Sequence, residues 1–166
     1  GNSASFISTA SNTLLGTIPV GTQPYGVATS PDGLLAYVAN FASNSVSVID
    51  VSARTVIDTI PIGAGQFGIA VSSDGTRLYV SNNYNRVSIV DAATRHPIDL
   101  VAVGSHPQGV ALTPDDKYLF VANQFSDTVD VIDTATKSVV FKHAVPSNPV
   151  SLGAFISPPL VRARQA

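Results

Sequence analysis

The same succession of short runs returns three times along this chain, with a period of 41–42 residues. A turn comes first: Ser30-Pro31-Asp32-Gly33, Ser72-Ser73-Asp74-Gly75 and Thr113-Pro114-Asp115-Asp116. An apolar run ending in asparagine follows, as Tyr37-Val38-Ala39-Asn40, Tyr79-Val80-Ser81-Asn82 and Phe120-Val121-Ala122-Asn123. A third run closes on Asp50, Asp91 and Asp133, and a fourth on Gly21, Gly63 and Gly104. Each repeat therefore carries four β-rich runs separated by turn residues. Four strands in about 40–45 residues is the blade unit of a β-propeller. One four-stranded sheet alone leaves two apolar faces in water, and stacking blades face to face buries both. The runs are accordingly almost continuously apolar instead of alternating.

Composition supports an all-β chain. Of the 166 residues 45% are hydrophobic and only 12% charged, and glutamate, methionine, cysteine and tryptophan are absent. The straight-chain residues that favour helices are thus scarce, and almost no helix is expected. Val, Ile, Thr, Ser, Gly, Pro and Asn supply strands and turns. The net charge is −2, and Arg162 with Arg164 is the nearest approach to a basic cluster. That is too little for a phosphate-binding stripe, so nucleic acid is not an expected partner. No apolar stretch reaches the ~20 residues of a membrane span, and no signal peptide is visible.

The order of motifs resembles the YVTN family of propeller repeats, named for a strand that ends in asparagine. The match extends to Pro24-Tyr25-Gly26-Val27-Ala28, the Ser-Pro-Asp-Gly turn, the run from Ser43 to Asp50 and Ile60-Pro61-Ile62-Gly63. It covers about residues 1–157. The resemblance implies a surface-layer-type propeller, extracellular or at the cell surface, secreted or periplasmic. It also implies a seven-bladed ring, for which this period would need about 290 residues.

The phase of the repeat divides the chain into a partial blade over 1–21, blades over 22–63, 64–104 and 105–146, a partial blade over 147–157, and a tail or weak closing strand over 158–166. Residues 150–156 are expected to form an innermost strand. Three readings remain open: an arc of a larger propeller, two chains self-associating to complete a ring, or a closed four-bladed ring. Gly26, Gly68 and Gly109 share the start of the inner strands, where blades crowd the axis and a side chain should strike backbone.

The repeated acids read as architecture. An aspartate before a tight turn accepts turn N–H groups, which accounts for Asp50, Asp91 and Asp133 and equally for Asp32, Asp74 and Asp115. Asn40, Asn82 and Asn123 hold one phase in every copy, which points to one structural task such as bonding backbone at the strand end. His96, His106 and His143 fall at three different phases, and no pair has metal-ligand spacing. No nucleophile elbow, P-loop or dinucleotide fingerprint occurs. No catalytic residue, metal or cofactor is therefore expected.

Loop residues are the better candidates. The connections from second to third strand and from outer strand to next inner strand emerge on one face. Near the central opening that face carries Gln23, Tyr25, Gln66, Phe67, His106, Gln108 and Asn148. Farther out it carries Phe41, Asn44, Asn83, Tyr84, Asn85, Gln124, Phe125 and Asp127. Amides beside aromatic rings suit a protein or glycan partner, because rings add contact area and amides add directional hydrogen bonds. The expectation is a non-enzymatic binding or scaffolding module. Its rivals are a lactonase- or lyase-like propeller enzyme and a purely structural segment.

Overall fold

The computed structural model describes residues 1–151. They form fourteen strands and no helix. Strands β1 (Ser3–Ser8) and β2 (Thr13–Pro19) pair as a two-stranded sheet. The first full blade is β3 (Pro24–Thr29), β4 (Leu35–Asn40), β5 (Ser45–Asp50) and β6 (Thr55–Pro61). The second is β7 (Gln66–Val71), β8 (Arg77–Asn82), β9 (Arg86–Asp91) and β10 (His96–Ala102). The third is β11 (Pro107–Leu112), β12 (Tyr118–Asn123), β13 (Thr128–Asp133) and β14 (Ser138–Ala144). Each blade is an antiparallel meander in chain order. The register breaks at equivalent places in every copy: Pro24/Val27, Gln66/Ile69 and Pro107/Val110 inside, and Phe6/Ile7, Val48/Ile49, Pro97/Asp99 and Val131/Ile132 outside. Such irregularities sharpen strand twist, as a radial array of sheets requires. Residues 152–157 of the expected closing blade, and the tail over 158–166, lie outside the described residues.

The apolar core lies between blades and not within them. Tyr37, Val46, Val48 and Ile60 of the first blade pack with Ile69, Leu78, Val80 and Val90 of the second. Val87, Ile89 and Val101 of the second pack with Val110, Leu119, Val121 and Ile132 of the third. Ala4, Phe6 and Ile18 of the two-stranded sheet cover Ala36, Val38 and Ile49. Middle strands are consequently buried on both faces, whereas the outer strands β6 and β10 expose most of their residues.

The glycines at the inner-strand starts meet the expected crowding. A side chain on Gly26 would strike the carbonyl oxygen of Phe67, one on Gly68 that of Gln108, and one on Gly109 that of Ser151. Gly26 and Gly68 thus allow an inner strand to lie against the backbone of the next, and Gly109 lets β11 lie against the backbone at Ser151. Ser81 adds a bridge in the second blade: its Oγ accepts from the Gly68 N–H at 2.8 Å and donates to the Gln108 carbonyl at 2.7 Å.

The turn acids also behave as read from sequence. Asp32, Asp74 and Asp115 accept the N–H of Leu34, Thr76 and Lys117 and the hydroxyl of Ser30, Ser72 and Thr113. Asp50, Asp91 and Asp133 accept the N–H of Ala53, Thr94 and Thr136 at 2.7–2.9 Å. The repeated asparagines, however, correct the expectation of a backbone bond. Asn40 donates to Ser47, Asn82 to Ser88 and Asn123 to Thr128, all hydroxyls of the neighbouring strand. Backbone partners are already consumed by the ladder there, so the buried amide bonds a side chain.

Candidate functional site

The loop face begins with a backbone device. Gln23, Gly65, His106 and Asn148 take one phase of the connection into the inner strands, and all have positive φ, at 52°, 72°, 55° and 58°. A left-handed residue that is not glycine, and that precedes proline as Gln23, His106 and Asn148 do, is held there at a cost of order 1–3 kcal/mol. The holding group is a side chain from the preceding second-to-third-strand loop. Asn2 Oδ1 accepts the Gln23 N–H at 3.1 Å, Asn44 that of Gly65 at 3.2 Å, Asn85 that of His106 at 3.2 Å, and Asp127 that of Asn148 at 2.8 Å. Every clip spans 21 residues. Asn44, Asn85 and Asp127 are therefore spent on the fold instead of standing free for a ligand.

Gln66 also departs from the candidate set. It takes the proline phase of the other copies and is fully buried, with Nε2 donating to the carbonyls of Ile62 and Gly63. Its side chain fastens the connection between the first and second blades. Gln23 and Asn148 are exposed at the mouth. Tyr84 is exposed too, and no ring contact joins it to the other aromatics among the described residues.

The remaining candidates come together. Tyr25 lies edge-on to Phe41 (5.8 Å between centroids) and to Phe67 (5.2 Å), and Phe41 touches Phe67 at 4.8 Å. Phe67 continues to His106 at 5.0 Å, and His106 stacks on Phe125 at 4.3 Å and 14°. Five rings from three blades thus form one continuous strip. Phe67 is its buried floor at 7% exposure, while Tyr25 and Phe125 stand out at 51% and 64%. Edge and stacked contacts at these distances hold ring orientation. Burial against the flanking rings keeps the His106 imidazole below its usual pKa range, so at neutral pH the strip is uncharged.

Beside the stack, Gln108 Nε2 donates to Gln124 Oε1. This pair has the same phase as Tyr25 and Phe41 in the first blade and Phe67 and Asn83 in the second. The strip thus grades from ring on ring, through ring beside amide, to amide on amide. Sequence phase alone identified the members; the ring contacts and the amide pair required side-chain placement. Among the described residues, no three His or Asp side chains gather as a metal site.

One further polar group escaped the sequence reading. Asp130 replaces Ser47 and Ser88 of the other copies and is fully buried. Its Oδ2 accepts the Gly104 N–H at 2.9 Å and lies 3.3 Å from Lys142 Nζ. The signal available was an acid at a serine phase.

On the opposite face, the turn from third to fourth strand in each blade carries a cation that reaches back to the previous blade. Arg54 donates to the Leu15 carbonyl, Arg95 pairs with Asp58 at 2.9 Å, and Lys137 with Asp99 at 3.0 Å.

The comparisons agree with this architecture. A solved structure titled Kuenenia stuttgartiensis Hydrazine Synthase superposes with a TM-score of 0.83 at 30% identity, over 87% of this chain and 44% of that one. This chain therefore spans less than half the length of that relative. No curated protein matches it. The family described as YNCE-like beta-propeller matches residues 17–110 and again 80–149. The blades, their interblade glycines and this match together establish that the chain belongs to the YNCE-like β-propellers.

Proposed function

We propose that the chain is a non-enzymatic propeller module of a secreted or cell-surface protein, presenting its loop face to a protein or glycan partner. The observation that carries this reading is the five-ring strip running from Tyr25 to Phe125. A strip with two exposed ends on a buried floor offers contact area that folding alone does not require. The asparagine clips hold its backbone in place before any partner arrives, which lowers the entropy lost on binding. The face's acid, Asp127, is engaged in a clip, and its histidine is packed between rings. Acid–base work needs such groups converging on one reacting point. The surface setting comes from the YVTN-like motifs.

The test is binding of the purified chain to washed cell envelopes, compared with a Tyr25→Ala/Phe125→Ala variant of equal melting temperature. Retention by the native chain and loss by the variant is expected. Equal retention of both would remove the loop face from the reading. Elemental analysis and a lactonase assay in added calcium, manganese or zinc test the non-enzymatic part. One tightly held metal per chain, or turnover lost with His106→Ala, would make the chain an enzyme.

A second reading is a structural arc of a larger propeller. It is supported by the 44% span of the matched chain and by the outward face of the third blade. There Phe120 is only partly buried, where its counterparts Tyr37 and Tyr79 are 2% and 5% exposed.

A further inference from the structure

The strip is graded, and its amide end has unused bonding capacity. Gln108 and Gln124 satisfy one donor and one acceptor in each other. Whichever amide donates, the pair leaves one carbonyl oxygen and one NH₂ group outside that bond, and both side chains remain partly exposed. Adjacent hydroxyls of a sugar ring offer the complementary arrangement: one O–H donates to the carbonyl oxygen and its neighbour accepts from the NH₂. The stacked His106–Phe125 pair stands next to these amides in sequence and joins them through backbone, since the Gln124 N–H donates to the His106 carbonyl at 3.0 Å. The exposed Phe125 ring is thus an apolar platform within reach of a diol-binding pair.

Charge narrows the class. Besides the engaged Asp127, the strip and its amides carry no carboxylate, lysine or arginine, and burial disfavours protonation of His106. An ionic ligand would lose its hydration there without gaining a counter-charge. About a quarter of the residues in typical proteins are charged, so a protein partner would leave charges facing an uncharged strip. A neutral polyhydroxylated ligand loses nothing of this kind.

Resting on the loop-face reading above, we infer that the Gln108–Gln124 pair and the Phe125 platform form a subsite for a neutral hexopyranose unit, with the strip toward Tyr25 supporting the rest of a neutral glycan chain. Isothermal titration of the purified chain with cellohexaose, maltohexaose and mannohexaose tests it, with polygalacturonate as the anionic comparison. At least one neutral hexamer binds and polygalacturonate does not. A Gln108→Leu/Gln124→Leu variant weakens that binding about tenfold or more, equivalent to roughly 1.4 kcal/mol. Phe125→Ala abolishes measurable heat, and Tyr84→Ala, whose ring lies outside the strip, leaves affinity unchanged. Equal melting temperatures show that the variants fold. Failure of every neutral hexamer at millimolar concentration overturns the glycan assignment. If envelope retention then still depends on Tyr25 and Phe125 after enzymatic deglycosylation of the envelopes, the partner is a protein and the loop face stands. If retention is also lost from the comparison, both fall.

Discussion

The two ends of the sheets solve the same problem differently. At the turn end, each blade repeats one set of bonds: Ser or Thr hydroxyl to Asp, Asp to backbone N–H, and a third-turn cation reaching back to the previous blade. At the loop end the backbone bonds and the clip repeat, but the residues they position differ from blade to blade: Gln23, Gly65, His106 and Asn148 in the left-handed place, then Tyr25, Phe67 and Gln108. Repetition marks what every blade needs in order to pack. Variation on a repeated backbone marks where side chains are free to serve something else. The difference separates an architectural face from a candidate binding face within one chain, without reference to any other sequence.

The largest expected effect tests the packing that both ends depend on. Gly68→Val drives a side chain into the Gln108 carbonyl, with the Val110 nitrogen at 3.1 Å. It should cost about 3 kcal/mol or more, because backbone on the next blade cannot yield as a side chain can. Gly63→Ala is the contrast, since a methyl there meets nothing within 4 Å; its change should stay within about 0.5 kcal/mol. Urea midpoints of the two variants should therefore diverge widely, and similar midpoints would mean that the blades adjust more freely than the geometry indicates.

Below about pH 4, acid should attack the turn end. Hydroxyl bonds from Ser30, Ser72 and Thr113 chiefly lower the pKa of Asp32, Asp74 and Asp115, and N–H bonds from Ala53, Thr94 and Thr136 chiefly lower that of Asp50, Asp91 and Asp133. A carboxylate whose pKa is lower folded than unfolded contributes stability that is fully present above the unfolded value, about pH 4, and lost as pH falls through the folded one. The urea midpoint should therefore drop below about pH 4. His106 acts in a separate window: its lowered pKa makes stability decline as pH falls below about 6.5, through the folded value. A midpoint flat from pH 7 to pH 3 would show that the turn acids do not support the fold.

The clip gives the smallest and most local effect. Asn85→Gly keeps the left-handed backbone, where φ is 58°, and deletes only the bond to the His106 N–H. A loss of about 1 kcal/mol is expected, with faster amide exchange confined to His106 and its neighbours. Uniformly faster exchange across the second blade would mean that the clip supports the sheet instead of the loop face.

Much of this was legible in sequence because a propeller blade is a local object. Its strands are neighbours in the chain, so turns at Asp32 or Asp74, the alternation of runs and the crowded glycines all repeat at readable spacing. What was misread has two causes. Asn44, Asn85 and Asp127 looked available, yet each spends its oxygen on a connection 21 residues away. Gln66 looked like a surface amide, yet it turns inward because its copy lacks the proline that stiffens the others. The clip residues bond the next connection, whereas Gln66 bonds carbonyls three and four residues back in its own.

The sequence by itself determined the blade, its period and the chemical character of the two faces, since strand propensity, turn chemistry and hydrophobic phase act over a few residues at a time. Only the tertiary structure decided which of those residues meet. The ring strip joins Tyr25 to Phe125 across three blades, and the amide pair joins Gln108 to Gln124 across two strands. Such contacts depend on the rotation between stacked sheets and on rotamers set by packing, quantities that no single repeat encodes.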